Sequence, residues 1–212
     1  MGLKFFSSVV GVFCTLFFNP PALASAMYSD AAAFDAAVTG ASTYTFEGIA
    51  PINSWANAPS FTVGGVQFTS NRYLFVIDAN AGYGSYGNSF LSGQAGRPAN
   101  DVYVTLPGST AIGFYLGSYI DAFFHVYVTL SSGENFALSL PARNTTEFVG
   151  FVSDVPITNL TFSEPNGNAL DITKFVTASA NSVPEPETLL LFALGLVGIV
   201  VTRRRWLHPI NL

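Results

Sequence analysis

Thiols, imidazoles and charge are all scarce in this chain, and each scarcity removes a class of chemistry. The 212 residues include one cysteine, two histidines and 10% charged side chains, against about a quarter charged in an average soluble domain. Cys14 lies inside an N-terminal apolar run that reads as an export leader. The mature chain then has no thiol, which excludes disulfides, thiolate metal sites and cysteine nucleophiles. His208 lies beyond a C-terminal hydrophobic run, leaving His125 as the one imidazole of the central region. A Ser-His-Asp triad would have to use it, and a metal site built on histidines lacks the further ligand it needs. Basic residues are few as well. Between Met27 and Asn181, Arg72, Arg97, Arg143 and Lys174 face eleven acids, which argues against nucleic acid, whose phosphates need clustered Lys and Arg. There is no Gly-x-Gly-x-x-Gly after a strand, no Walker loop and no His-Glu-x-x-His, and no period of 20 to 50 residues repeats.

Two hydrophobic segments flank that region. Lys4, the apolar run Phe5 to Phe18, the breaker Asn19-Pro20-Pro21 and the small-residue run Ala22-Leu23-Ala24-Ser25-Ala26 have the order of a signal peptide, 1–26, with cleavage after Ala24 or Ala26. Near the other end, Val183-Pro184-Glu185-Pro186-Glu187 precedes the apolar run 188–202 and then Arg203-Arg204-Arg205-Trp206. Pro184 and Pro186 cannot continue a helix, so a helix starts after them. The run is short for a bilayer, roughly 22 Å at 1.5 Å per residue. The arginine stems and the tryptophan ring extend its reach into the headgroups. The positive-inside bias puts the tail 203–212 in the cytoplasm, with the linker 181–187 and everything before it outside.

The order of Val183-Pro184-Glu185-Pro186, a hydrophobic helix and a terminal arginine cluster resembles the PEP-CTERM sorting signal of Gram-negative exported proteins. The resemblance implies recognition at the inner membrane by an exosortase, a membrane-embedded protease that cuts near Pro-Glu-Pro and passes the ectodomain to the cell surface or matrix. It covers only the last thirty or so residues of this sequence and leaves the cargo open.

The cargo, residues 27–180, is long enough for one core without staples. Ser29 or Asp30 can cap a short helix over Tyr28 to Val38, with Phe34, Ala37 and Val38 on one face. After Thr43 the period becomes two. Val102, Val104 and Leu106 alternate with Tyr103 and Thr105, and Phe124, Val126, Val128 and Leu130 with His125, Tyr127 and Thr129. Ser131-Ser132-Gly133-Glu134 turns the latter run into Phe136, Leu138 and Leu140, a hairpin. Further short runs lie at 43–47, 61–63, 66–70, 73–78, 112–116, 147–153, 160–162 and 171–176. The expectation is an all-β fold, an antiparallel β-sandwich of jelly-roll type with one N-terminal helix.

Two constellations stand out as candidate sites. Glu47 ends the first strand and Asp171 opens the last. First and last strands of a sandwich are often neighbours, and hard carboxylate ligands at strand ends suit Ca²⁺. Phe46-Glu47-Gly48 and Leu170-Asp171-Ile172 also resemble the ends of galactose-binding-like jelly-roll modules, a likeness that implies a structural Ca²⁺ there. The second is the loop Asp78 to Asn100, rich in Gly, Ser and Asn. Tyr83 and Tyr86, joined by Trp55 from an earlier loop, offer flat amphipathic rings for stacking on sugars. The reading is a non-catalytic surface or matrix protein, with exopolysaccharide as the expected ligand. Two alternatives stay open: an envelope carbohydrate hydrolase using paired carboxylates, and a permanently anchored periplasmic domain.

Overall fold

The computed structural model describes residues 25–83, 86–94, 101–120, 124–140 and 143–181. Most of the expected signal peptide, the Pro-Glu-Pro linker, the apolar run 188–202 and Arg203 to Arg205 lie outside the described residues. Among the described residues no helix is long and apolar enough to cross a membrane.

Among the described residues, alternation of β-branched and aromatic residues produces ten strands, all paired antiparallel: β1 (Ala26–Tyr28), β2 (Val38–Thr45), β3 (Trp55–Val63), β4 (Val66–Ile77), β5 (Phe90–Gly93), β6 (Val102–Gly117), β7 (Phe124–Leu130), β8 (Asn135–Leu140), β9 (Thr146–Ser163) and β10 (Asp171–Ala180). The fold is an antiparallel β-sandwich of the jelly-roll kind, as the alternation implied. The layers are made by bending long strands rather than by separate ones. Val102 to Thr105 of β6 lie between β4 and residues 159–162 of β9, whereas 111–117 lie between β10 and residues 146–152 of β9. The register shifts around Ser109, beside Gly108 at φ +97°, where the strands pass from one layer to the other, as at the corners of orthogonal sheets. Runs read as separate strands at 102–106 and 112–116, and at 147–153 and 160–162, are therefore single strands of 16 and 18 residues.

The main core fills the space between the layers. Val102, Val104, Val126, Val128, Leu160 and Phe162 come from one side, and Leu74, Val76, Leu91, Ile112, Phe114, Phe151, Ile172 and Phe175 from the other, all buried. Phe175 is the centre of an aromatic cluster, with ring centroids 5.0 Å from Tyr44, 5.1 Å from Phe68, 6.1 Å from Phe46 and 6.3 Å from Phe114.

The outer face of the second layer is covered twice. Helix α1 (Ala31–Ala37) covers one end. Asp30 is its cap, its Oδ1 accepting from the Ala33 amide at 2.7 Å. The expected helix thus begins three residues later than 28, because Tyr28 is spent in pairing β1 with β9. Its one buried side chain, Phe34, sits over the paired glycines Gly113 and Gly150. A Cβ on Gly150 would come within 2.4 Å of the Phe34 ring, so the glycine is there for close approach. The other end of the outer face is covered by the segment between β4 and β5, and there the candidate site forms.

Candidate functional site

Register places the aromatic residues on one face. Trp55 of β3 is opposite Ile77 of β4, which is opposite Phe90 of β5, and directly opposed residues share a face. Leu74, Val76 and Leu91, at the alternate positions, point into the core, so Trp55, Phe75, Ile77 and Phe90 occupy the outer face. Phe90 and Ile77 are both buried, because the β4–β5 connection and Tyr119, after β6, fold over them.

Trp55, Phe75, Ile77, Tyr83 and Tyr119 line an open cleft of about 190 Å³. Trp55 and Tyr83 meet edge to face at 5.5 Å, and Tyr83 and Tyr119 at 6.2 Å. Trp55 keeps 49% of its surface exposed and Tyr83 42%, so both rings are open to solvent at the cleft. Trp55 and Tyr83 come together, although Trp55 opens a strand rather than sitting in a loop.

A hydrogen-bond frame fixes the cleft walls. Asp78 follows β4, and its Oδ1 accepts from the amides of Asn53 and Asn80, both at 3.0 Å, while its own amide donates to the Ser54 carbonyl at 3.0 Å. These backbone donors hold the Asp78 carboxyl below its usual range. Asn53 takes φ +59°, a left-handed conformation that asparagine tolerates. The residues just before Trp55 are thereby tied to the end of β4. On the far wall the Tyr119 backbone is held from both sides: its amide donates to Asp171 Oδ2 at 2.6 Å, and its carbonyl accepts from Arg143 Nε at 2.7 Å.

Tyr86 has a different place from Tyr83. Its hydroxyl donates to Asp171 Oδ2 at 2.8 Å, and its ring packs edge-on against Phe90 at 5.0 Å. It is not among the residues lining the cleft. Burial, and then the neighbouring Asp171 carboxylate, push its phenol well above the ordinary range. The neutral phenol is favoured in the fold, so its contribution is present below the unfolded value of about 10 and lost as pH rises beyond it. Tyr86→Phe removes the donor to a buried carboxylate and is expected to cost about 1.5–3 kcal/mol. Thermal melting between pH 8 and 11 checks this: the variant melts lower at pH 8 and loses less with alkali than the wild type.

Glu47 and Asp171 do belong to neighbouring strands, since β2 pairs with β10, although Glu47 lies in the turn two residues past β2. Each carboxylate takes protein donors. Glu47 accepts from the Ser89 amide and hydroxyl, both at 2.8 Å, and Asp171 from Tyr86 and Tyr119. Together they fasten both ends of the 86–89 stretch that leads into β5. These bonds to Asp171 both end on Oδ2 and those to Glu47 reach both of its oxygens, and among the described residues no three His, Cys, Asp or Glu side chains cluster. Glu47 and Asp171 are positioning residues for Tyr119 and the β4–β5 segment. His125 is exposed on the β7–β8 face, with Nδ1 3.1 Å from Ser139 Oγ.

Residues 182–205 match the PEP-CTERM protein-sorting motif. No curated protein matches the chain. Among solved structures, a family 6 carbohydrate-binding module is similar at 12% identity and a TM-score of 0.36, over 60% of this chain and 94% of that one. A second such module, from Clostridium stercorarium and solved with cellobiose, gives 10%, 0.33, 66% and 94%. The catalytic domain of a GH87 alpha-1,3-glucanase gives 12% identity and a TM-score of 0.40 over 69% of this chain, which spans 30% of that one.

Proposed function

We propose that this is an exported protein, sorted at the inner membrane by an exosortase through residues 182–205, whose β-sandwich binds neutral polysaccharide of the cell surface or matrix in the Trp55–Tyr83–Tyr119 cleft. One observation carries the binding reading: two large rings are held half exposed, edge to face, over an apolar floor by a hydrogen-bonded frame. Such rings stack on the apolar faces of pyranoses, and their polar tips reach hydroxyls. The cleft is smaller than the roughly 300–1,000 Å³ of sites that engulf a drug-sized ligand. It suits one ring of a longer chain lying across an open surface. The acidic balance of the central region disfavours polyanions as ligands and leaves neutral glycans.

A hydrolase would need two carboxylates flanking a cleft. Among the described residues the aromatic cleft is lined by none, and a second cleft, near β1 and β8, by Glu147 alone. Binding without turnover is the reading these linings support.

Affinity electrophoresis of the full chain through gels containing neutral polysaccharides tests binding: retarded migration is expected, and unchanged migration in every glycan offered overturns it. Sorting is tested separately. A chain ending at Asn181 is expected to leave the membrane fraction entirely, whereas the intact chain passes through it, as read by fractionation. Mass spectrometry of the mature C-terminus then distinguishes cleavage near Pro184-Glu185-Pro186 from a permanent anchor. Identical fractionation of the two chains overturns the sorting account.

A further inference from the structure

The tip of the β7–β8 hairpin holds a carboxylate whose partners come from the start of the chain. Glu134 Oε1 accepts from the Ser25 amide nitrogen at 2.8 Å, and Oε2 accepts from the Ser25 hydroxyl at 2.6 Å and the Ser132 hydroxyl at 2.7 Å. The hairpin turn fixes it further: the Leu130 amide donates to the Glu134 carbonyl, and the Gly133 amide to the Leu130 carbonyl, both at 2.9 Å. Directly after Ser25 the chain enters β1, where Ala26 is opposite Val152 and Met27 opposite Phe151. The sequence offers two small-x-small cleavage positions, after Ala24 and after Ala26, and they have unequal structural consequences. Cleavage after Ala26 would discard both residues gripped at this end, Ser25 and the first residue of β1. Cleavage after Ala24 keeps them and turns the Ser25 nitrogen into a terminal amine at the place where a carboxylate already waits.

We propose that the leader is removed between Ala24 and Ser25, and that Glu134 is the receptor for the new N-terminal ammonium of Ser25, locking β1 onto β9 and tying the chain start to the β7–β8 hairpin. Water adds across the Ala24–Ser25 peptide bond in the signal peptidase. The acyl carbon leaves as the Ala24 carboxylate, and the Ser25 amine takes up a proton to become –NH₃⁺. One amide N–H becomes three N–H donors carrying a full charge, and the bond to the Glu134 carboxylate becomes an ion pair. The carboxyl is prepared for this: the hydroxyl and amide of Ser25, and then Ser132, already hold Glu134 below its usual range. The uncut chain has the neutral form of the same contact, so processing tightens a lock that folding has only closed. The proposal rests on the export reading and not on the sugar cleft.

The full chain, produced with its leader in a Gram-negative host and purified in mild detergent, gives the test. N-terminal sequencing is expected to begin at Ser25. A start at Met27 overturns the proposal alone, whereas a retained Met1 overturns both it and the export reading. Amine-selective acylation at pH 7 reads the ammonium itself. Since a pKa raised by one unit lowers the reactive neutral fraction tenfold, acylation of the Ser25 amine is expected to run about tenfold slower in the wild type than in Glu134→Gln. Melting of Glu134→Gln is expected about 2–4 °C below the wild type at low salt, with the gap narrowing in high salt because the pair is partly exposed. Equal acylation rates overturn the ammonium–Glu134 contact, whatever the melting shows.

Discussion

Trp55→Ala is expected to weaken binding of the chain to its polysaccharide by about 30-fold or more, a loss of about 2 kcal/mol of the kind found for central aromatic anchors. The indole is one wall of the cleft and the edge-to-face partner of Tyr83, so its removal takes away a stacking surface and also frees the second ring to move. Stability should change little, because a half-exposed side chain at a strand's first residue contributes little to the core. Tyr83→Ala is expected to follow it with a smaller loss. The control is Tyr86→Phe, which lowers stability yet leaves the cleft lining intact, and so keeps affinity. Affinity electrophoresis across a glycan concentration series measures all three. A Trp55→Ala chain that binds as tightly as the wild type removes the cleft as the site, while leaving the sorting account untouched.

Phe175→Ala carries the largest expected cost to folding, about 3–5 kcal/mol. The ring has no exposed surface and meets Tyr44, Phe46, Phe68 and Phe114, contributed by β2, the turn after it, β4 and β6. These partners sit on both layers, so they cannot collapse into the gap together, and the cavity term adds to the lost transfer energy. Against a total stability of about 5–15 kcal/mol, such a loss lowers the melting temperature by about 6–20 °C for a domain of this size. Phe175→Leu keeps most of the volume and is expected to recover more than half of the loss. Thermal melting of the exported chain decides it, and a Phe175→Ala protein melting within about 2 °C of the wild type would remove Phe175 from the centre of the core.

The architecture was largely legible because a sandwich writes itself as alternation. Val102, Val104, Val126 and Val128 face the core as their period of two required, and the β7–β8 hairpin turns at Ser131 to Glu134 as its turn residues did. What alternation hid were the joins and the short pieces. The runs 102–106 and 112–116, and 147–153 and 160–162, were expected as separate strands, yet β6 and β9 run through Pro107-Gly108 and Pro156, with the register shifting around Ser109. Phe90-Leu91-Ser92-Gly93 is a four-residue strand buried throughout, too short to show a period amid glycines and serines. Tyr28 opened the expected helix over 28–38, and pairing with β9 took it instead.

By itself the sequence determined the sorting motif at 182–205 and the class of fold, because residue order and period are local properties that no tertiary contact alters. Only the folded chain separated Tyr83 from Tyr86: three residues apart in matching glycine-rich surroundings, one lines the cleft and the other is claimed by Asp171, 85 positions away. The same holds for Tyr119 as a wall and for Glu134 as the partner of Ser25, 109 positions apart. A hydrogen bond is decided by which groups the bent strands bring within 3 Å of each other, and that distance is set by topology, which residue spacing along the chain does not encode.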